Sequence, residues 1–439
     1  MNKKISLGTA IALMFVAAAV TLSATMLYAS NRFNQTVSNL TQREAMYDKL
    51  AEIDSYVRNN YIENIDEDYL LDCIAYGYMA GIEDTYGRYY TADEYEQVTT
   101  NTEGKVVGIG ITASKTENGY ILIEEVYPDS PAEAAQLVAG ELIVKVNDID
   151  LSLETYEEAI TSIQGKAGTT LSLVVRNGNE DREITEITRR KVQKPTVYST
   201  SFDTIGYVRI TEFNGTTYDQ FKLAVETLLT NGAEGLVFDV RNNAGGTLDA
   251  VIKVLDMLLP QGDIASSVDK DGNVTVLGTS DPNCVNVPMA VLTNGNTASA
   301  AELFTQALRD YEVAKSIGLK TYGKGTMQIY HKLQDGSAIK LTTNRYNPPM
   351  SENYDGIGIE PDYYAVGSND VLEIEIISPE IDNQLAKAVE YVITGSTTAD
   401  EKVPQENIEV PEEVLDEEVS EENSDEDEET EENEEETEE

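Results

Sequence analysis

A serine between small residues is the group best placed in this sequence to do chemistry. Ser299 lies in the stretch NTASAAE (296–302), where a loop passes into an amphipathic helix that continues as LFTQAL. Serine is a common N-cap and alanine is a strong helix former, so the stretch has a purely structural interpretation. The same small neighbours would let a substrate backbone reach the hydroxyl, which makes Ser299 a candidate nucleophile as well.

A serine hydroxyl becomes nucleophilic only when a nearby base takes its proton. The chain has one histidine, His331, so a Ser-His-Asp arrangement requires that this residue meets Ser299. Lys324, in the stretch TYGKGTMQ (321–328), is the alternative base, because burial favours the neutral amine. On a strand, Gln328 would share a face with Lys324 and orient the amine without adding charge.

Attack on a peptide carbonyl also requires N–H donors that stabilise the oxyanion. The Ala300 N–H group is one predicted donor, because the start of a helix carries a partial positive charge. Gly245 or Gly246, in the stretch RNNAGG (241–246), is the predicted second donor. A glycine turn after a buried strand leaves its N–H groups exposed.

The elements around these motifs alternate between buried strands and helices. Apolar runs predict strands at 205–210, 235–240 and 289–293, and helices at 218–230 and 380–394. This alternation predicts a mixed α/β core over residues 191–395, with helices packed on a sheet. The third of these strands leads directly to Ser299.

Residues 98–190 contain short β-rich runs and two predicted helices, at 130–137 and 155–164. Strands of this length around two short helices predict a small, partly open β-barrel. The stretch Gly108, Ile109, Gly110 and Ile111 opens it. This glycine-rich turn either closes the barrel or presents backbone N–H groups to a peptide.

The first 30 residues predict export from the cytoplasm. The run from Ile5 to Ala29 is uncharged and follows Lys3 and Lys4, so it predicts a membrane anchor with a cytoplasmic N-terminus. A cleaved signal peptide is the alternative. The remaining chain is therefore expected outside the cytoplasm, as a single-pass protein of the cell membrane or, after cleavage, as a secreted one.

Residues 31–97 are predicted to be helical. Leu40, Met46, Leu50 and Ile53 recur at helical spacing. The pattern fits an ordinary helical packing layer as well as a surface that lies along a second copy of the chain.

Charge and composition exclude several classes of protein. The formal net charge is -48, and residues Glu401–Glu439 hold 22 acidic residues and one lysine. Such a surface repels nucleic acid, and residues 396–439 are predicted to be a disordered acidic tail. One histidine and two cysteines, Cys73 and Cys284, predict neither a metal site, a cofactor site nor a disulfide framework.

The motifs together resemble the carboxyl-terminal processing peptidases, which are tail-specific serine proteases of family S41. The turn at 108–111 followed by SPAEAAQLVAGELIVKVND (130–148) resembles a PDZ domain, and the order of helical segment, PDZ domain and protease core is that of the family. The likeness covers residues 40–395. It implies that Ser299 is the nucleophile, Lys324 the general base and Gln328 its orienter.

The resemblance also implies partners. Substrates would be proteins with exposed C-terminal tails. The PDZ domain would bind these tails at the turn 108–111 and gate their processing. The chain would form a homodimer. Gln164 stands where many relatives carry an arginine, so an arginine-dependent activation switch is not implied. Two other classes stay open: a membrane-tethered scaffold with an inactive site, and an esterase that uses the same serine and lysine.

Overall fold

The computed structural model describes residues 7–367 and 378–402. The chain divides into two units, Met1–Ile74 and Ala75–Glu439. Most of the predicted acidic tail, from residue 403 onward, lies outside the described residues.

The first unit is helical. Helix α1 spans Leu7–Asn60, and helix α2, which begins in this unit, spans Glu67–Ala80. The predicted apolar positions Leu40, Leu50 and Ile53 are exposed on α1. In the described ranges no helix combines the length and the apolar character needed to cross a bilayer. The predicted anchor begins at Ile5, which lies outside the described residues.

The second unit contains a small barrel and a larger α/β core. Its first elements are β1 (Arg88–Tyr90), α3 (Ala92–Thr102), β2 (Lys105–Gly108), β3 (Ile111–Lys115), β4 (Ile121–Val126), α4 (Pro131–Ala134), β5 (Leu142–Val146), β6 (Ile149–Asp150), α5 (Tyr156–Ile163), β7 (Thr170–Asn177), β8 (Glu180–Thr188) and β9 (Arg190–Gln193). The core elements that follow are β10 (Val197–Phe202), β11 (Ile205–Ile210), α6 (Thr217–Thr230), β12 (Gly235–Asp239), α7 (Leu248–Asp256), β13 (Gly262–Asp269), β14 (Val274–Ser280), β15 (Met289–Thr293), α8 (Ala300–Asp310), β16 (Ala314–Gly318), β17 (Thr326–Lys332), β18 (Ala338–Asn347), β19 (Tyr363–Tyr364) and α9 (Asn383–Thr394).

The central sheet of the core has the order β10-β11-β12-β15-β16-β19. Strands β11, β12, β15, β16 and β19 are parallel, and β10 is antiparallel at one edge. Strands β12 and β15 are buried along their whole length, because α6, α7 and α8 cover one face and α9 covers the other. The predicted mixed α/β core is confirmed.

A second sheet has the order β1-β18-β13-β14, and β17 also pairs with β18. Strand β1 comes from the segment 31–97, which the sequence predicts to be helical throughout. That prediction is wrong at residues 88–90, because a partner strand distant in sequence supplies their hydrogen bonds. Helix α3 likewise crosses the predicted boundary between residues 97 and 98.

The small barrel contains the sheet β3-β4-β5-β7-β8, with β6 paired to β5. Ile121, Ile143 and Leu173 lie in its core. The predicted barrel with two helices is thus confirmed. The strands by which the chain enters and leaves it, β2 and β9, pair with each other and form a two-stranded ribbon between the barrel and the core.

The folded core continues beyond α9. The sequence assigns residues 396–402 to the disordered tail, but the Asp400 N–H group donates to Tyr364 O at 2.7 Å. The Lys387 ammonium also forms an ion pair with Asp400 at 3.0 Å. These contacts hold the segment against β19 and α9, so the prediction is wrong for this short segment.

Candidate active site

The predicted site residues come from three loops at one edge of the central sheet. Loop 240–247 follows β12, loop 294–299 follows β15, and loop 319–325 follows β16. Because these strands are parallel neighbours, their carboxyl ends meet at the same edge. The strand order therefore brings the glycine turn, Ser299 and Lys324 together.

The glycine turn is packed closely against the serine loop. The Ala298 N–H group donates to Asn243 O at 2.9 Å. Gly245 has a φ of 115°, and a Cβ atom on it would lie 2.8 Å from Ser299 Cβ, closer than real Cβ contacts. Only glycine fits this position, both because of its backbone conformation and because of the approach of Ser299.

Ser299 has a strained backbone. Its φ of 54° and ψ of -117° place it outside the ordinary regions for a residue with a side chain, at a cost on the order of 1–3 kcal/mol. Helix α8 begins at the next residue. Such strain persists only where surrounding contacts impose it, and it is common where a side chain must be aimed at a substrate.

A buried carboxylate, Glu302, holds the serine and the lysine loop at the same time. Its Oε2 atom accepts hydrogen bonds from Ser299 N–H at 2.9 Å and from Lys324 N–H at 2.8 Å. Its Oε1 atom accepts from Gly323 N–H at 2.7 Å and from the Thr321 hydroxyl at 2.5 Å. We refer to these four hydrogen bonds as the Glu302 clamp.

The clamp depends on the ionisation of Glu302. Burial raises the pKa of Glu302 to about 7, although the four hydrogen bonds of the clamp act to lower it. An ionised carboxylate is an acceptor only and satisfies all four donors, whereas a proton on either oxygen would face a donor. The clamp is therefore complete only above this pKa.

Lys324 is 7% exposed and lies in the loop that precedes β17. Its Nζ atom is 4.1 Å from the centre of the Tyr86 ring. The Tyr346 hydroxyl donates to the Lys324 carbonyl at 2.7 Å and fixes the backbone. Burial favours the neutral amine, whereas the ring face favours the ammonium form.

The relation between Gln328 and Lys324 differs from the one that the sequence predicts. Lys324 precedes the strand, and the register of β17 shifts between Met327 and Gln328, so alternation along a strand does not relate the two side chains. The Gln328 Nε2 atom donates to the hydroxyls of Thr326 and Thr342, both at 3.1 Å. The amide thus has a defined orientation that a residue of β18 helps to set.

The three predicted oxyanion donors are not equivalent. The Gly245 N–H group donates to Asn243 Oδ1 at 2.8 Å, so the structure does not support its predicted role. Gly246, with a φ of 125°, and Ala300, the first residue of α8, both line the cavity described next.

A cavity of about 780 Å³ connects the candidate residues. Ser299, Lys324 and Gln328 all line it. Its wall is mixed in character. Phe213, Leu248, Leu303, Met327, Tyr330 and Tyr346 contribute aromatic and apolar surface, and Arg88, Glu94, Lys194, Glu212 and Lys340 contribute charged groups. The cavity therefore offers both apolar surface and polar groups to a peptide held against the serine.

His331, the alternative base, lies on β17 with an exposed side chain and does not line the cavity. In register it pairs with Ile339 on β18. Among the two candidate bases, Lys324 is the one that shares a cavity with Ser299.

The predicted peptide-binding turn is part of the barrel. Gly108 ends β2 and Ile111 begins β3, while the Ile109 side chain is buried in the barrel core. Gly110 has a φ of 83°, and its carbonyl accepts from Tyr127 N–H at 3.0 Å. Strand β3, which follows the turn, is at the edge of its sheet.

An arginine from another part of the chain lies beside Gln164 and the end of α5. Gln164 is exposed at the end of α5. The buried Arg189 reaches the same helix end, where its Nε atom donates to Ile163 O at 3.0 Å and its guanidinium also donates to Ser162 O. This side chain fixes the C-terminus of α5 to the end of the barrel.

Sequence reasoning missed Glu302 as a site residue. Its position three residues after Ser299 is that of a capping-box glutamate, which was the available signal. Its other three partners come from residues 321–324, and only the fold brings them near.

Two parts of the chain match known families. Residues 204–365 match peptidase family S41, and residues 122–177 match the PDZ domain. The first match covers the core strands that carry the three loops, and the second covers most of the barrel.

The similarity to known proteins extends over most of the chain. A probable CtpA-like serine protease of Staphylococcus haemolyticus (strain JCSC1435) is 28% identical over 401 residues, which is 89% of this chain and 79% of that protein. A probable CtpA-like serine protease of Staphylococcus aureus (strain MSSA476) is 29% identical over 333 residues, 75% of this chain and 67% of that protein. The solved structure of a photosystem II D1 C-terminal processing protease is 28% identical, with a TM-score of 0.46, and covers 75% of this chain and 88% of that chain.

Proposed function

The chain is a serine peptidase of family S41 with a PDZ domain, and from that premise we propose that it is an endopeptidase with a serine and lysine site that acts outside the cytoplasm. In this proposal Ser299 is the nucleophile, Lys324 is the general base and Gln328 orients the base. The PDZ domain recognises the C-termini of protein substrates and gates their processing.

The Glu302 clamp is the observation that carries the proposal. A single carboxylate fixes the backbone of Ser299 and of Lys324 in one cavity. An arrangement that serves only the fold gives no reason for a strained serine and a buried lysine to line the same cavity.

The reaction follows from these positions. The Lys324 amine takes the hydroxyl proton of Ser299 as the oxygen attacks the peptide carbonyl, and the N–H groups of Ala300 and Gly246 stabilise the oxyanion. The ammonium returns the proton to the departing amine as the peptide bond breaks. Water then hydrolyses the acyl-enzyme, with the same lysine as its base.

The barrel offers a surface for a substrate end. Strand β3 is at the edge of its sheet, where an extended peptide adds through main-chain hydrogen bonds. The partly buried side chains of Ile111, Ala113 and Ile160 give it an apolar character, which suits apolar C-termini. The Tyr198 hydroxyl of the core donates to Glu125 of the barrel at 2.8 Å, a contact through which binding would reach the core.

The location and assembly belong to the same proposal. Lys3 and Lys4 before a long uncharged run support export of the remaining chain. The exposed apolar side chains of α1, among them Leu40 and Leu50, support a homodimer. Cell fractionation and light scattering of the purified chain test these two statements.

Cleavage of an unfolded protein tests the catalytic assignment. The purified chain is incubated with casein beside Ser299→Ala and Lys324→Ala, with His331→Ala as the matched control. We expect the parent and the His331 variant to cleave and the other two to be at least a thousandfold slower.

The outcomes separate the open classes. Activity retained by Lys324→Ala would remove the lysine as base, and cleavage of simple esters without cleavage of casein would indicate an esterase. If the parent cleaves nothing, deletion of residues 105–193 distinguishes a core held inactive by the PDZ domain from an inactive scaffold.

A further inference from the structure

A short segment that precedes the barrel in the chain lies next to Lys324, the candidate base. It runs from Asp84 to Tyr90, between α2 and the end of β1, and it belongs to the part of the chain for which the sequence predicts only helix. We refer to residues 84–90 as the strap. Tyr86 contacts Lys324 directly, and Asp84 contacts Thr342, which in turn accepts from Gln328.

The first contact is made by Asp84. Its carboxylate accepts from Thr342 N–H at 2.8 Å and from the Thr342 hydroxyl at 2.9 Å. Because that hydroxyl donates its proton to Asp84, its oxygen is the acceptor for Gln328 Nε2, at 3.1 Å. A chain of hydrogen bonds therefore runs from the strap through β18 to the amide of Gln328.

Asp84 is ionised in this chain of contacts. Burial acts to raise its pKa, but the hydrogen bonds from Thr342 and Tyr86 N–H and the charge of Lys340 outweigh burial, so that the pKa of Asp84 is lowered. Because an ionised carboxylate can only accept hydrogen bonds, the Thr342 hydroxyl must point its proton at Asp84. The Thr342 oxygen is then available only as an acceptor, and this fixes the orientation of the Gln328 amide that donates to it.

The second contact is made by Tyr86. Its ring centre lies 4.1 Å from Lys324 Nζ, well within the distance at which a ring face attracts an ammonium group. Burial, together with a hydrogen bond to Tyr322, raises the pKa of Tyr86, so the ring is a neutral phenol. The attraction therefore comes from the ring face and not from a phenolate charge.

We propose that Asp84 and Tyr86 are positioning residues for the general base, Tyr86 through the face of its ring and Asp84 through Thr342 and Gln328. The inference rests on the proposed roles of Ser299 and Lys324. Positive charge appears on Lys324 Nζ as it takes the serine proton. A ring face already in contact with that atom stabilises this charge without any rearrangement.

A pair of matched aromatic replacements tests the role of the ring in the full-length chain. Tyr86→Phe keeps an electron-rich face, whereas pentafluorophenylalanine at the same position keeps the shape and removes the negative potential of the face. Turnover of an internally quenched peptide is measured as kcat and KM from pH 5 to 10.

The expected result concerns the acidic limb of the pH profile. Two groups must lose a proton for activity, Glu302 and Lys324. Asp84, Lys340, Tyr346 and Asp355 are ionisable groups near these two. Other ionisable side chains that line the cavity are Arg88, Glu94, Lys194, Glu212 and Tyr330. Loss of the ring attraction destabilises the ammonium form, so the fluorinated variant should move the Lys324 step to lower pH by about 0.5–1.5 units.

The same variant should lower kcat several-fold with KM unchanged, while Tyr86→Phe keeps the profile of the parent. Equal profiles for the two ring variants would overturn the proposal, and so would a change confined to KM. Tyr363→Phe, in a ring pair with Tyr391 on the far side of the sheet, controls for the loss of a tyrosine hydroxyl.

Asp84→Asn tests the second contact. The amide offers one acceptor where the carboxylate offers two, so Thr342 is free to turn its hydroxyl and Gln328 loses its fixed partner. We expect kcat to fall about tenfold at unchanged KM, with Asp93→Asn, an exposed residue of α3, as the matched control. An unchanged kcat would overturn the role of Asp84.

The failure of this inference and that of the proposed function are distinguishable. Lys324→Ala is measured in the same assay. If Lys324→Ala is active, Lys324 is not the base and both proposals are wrong. If Lys324→Ala is inactive but the two Tyr86 variants have identical pH profiles, only the proposed role of Tyr86 is wrong.

Discussion

At the scale of single residues, the site depends on a carboxylate that does not contact the reacting atoms. Glu302 joins the turn that carries Ser299 to the loop that carries Lys324. The strained backbone of Ser299 is restrained by this bond and by the close approach of Gly245. Both neighbours therefore limit where the serine can move.

The ionisation of Glu302 predicts opposite effects of pH on turnover and on stability. Burial raises the pKa of Glu302 from 4.5 to about 7, so turnover should rise with pH through about 7 as the clamp becomes complete. The raised pKa means that the folded state binds the proton more tightly than the unfolded state. Its contribution to stability is therefore fully present below pH 4.5 and is lost as the pH rises through about 7.

Glu302→Gln checks this prediction, because an amide does not titrate. The difference in free energy of unfolding between the variant and the parent, measured in urea, should change between pH 4.5 and about 7 and stay constant outside that window. Glu360→Gln, at an exposed ion pair with Lys402, is the control. A difference that is flat across the window would show that Glu302 titrates normally.

The approach of Gly245 to Ser299 predicts that Gly245→Ala displaces Ser299, the proposed nucleophile. We expect turnover to fall about a hundredfold, because a shift of a few tenths of an ångström at the nucleophile is costly. Gly232→Ala is the matched control, since Gly232 also has a positive φ, of 95°, but nothing lies within 4 Å of a Cβ atom there. Both variants should lose about 1–2 kcal/mol of stability through backbone strain. Equal turnover in the two would mean that the contact with Ser299 does not matter.

At the scale of elements, one buried ion network connects the glycine turn to the last helix. The Arg241 guanidinium donates to Asp239 at the end of β12 and, at 2.8 Å, to Asp382 at the start of α9. Asp382 is also the N-cap of α9, where it accepts from Gln384 and Leu385 N–H. The helix on one face of the sheet is thereby fixed to the loop that faces the site.

Asp382→Ala should therefore destabilise the core strongly. Removal of one partner leaves a buried guanidinium short of an acceptor, which costs about 3–5 kcal/mol, and loss of the cap adds about 1 kcal/mol. Urea unfolding measures the change, with Asp271→Ala in an exposed turn as the control. A loss below about 1 kcal/mol would show that the network carries little of the stability.

The sequence predicted some of these elements because their patterns are local. A window of about ten residues is enough to predict the buried runs of β12 and β15, the glycine turn and the start of α8. Strand β1 does not, since three residues between two helices show no alternation and only β18 makes them a strand. The partners of Glu302 and the bulge before Gln328 also depend on chain segments far apart in sequence.

At the scale of the whole molecule, the boundaries of the folded parts differ from those that composition predicts. The second unit begins before the strap, and β1 pairs with a strand of the core. A chain that starts at residue 66, before α2, keeps both, whereas one that starts at residue 98 loses them.

We therefore expect residues 66–402 to fold and to cleave casein, and residues 98–402 to do neither. The reason is that the shorter chain lacks the acceptor of Thr342 and the strand beside β18. Circular dichroism and a cleavage gel check the two chains. A folded and active chain from residue 98 would restore the boundary that the sequence predicts.

The ribbon of β2 and β9 has a consequence for engineering. Because Gly108 pairs with Arg190, the two ends of the PDZ domain are adjacent. The domain is therefore an insertion that the peptidase chain enters and leaves through two paired strands. A foreign domain whose own termini are adjacent could take its place with no change to the central sheet. If the PDZ domain controls the peptidase through this ribbon, such an exchange would make the rate of proteolysis depend on the small molecule or peptide that the new domain binds.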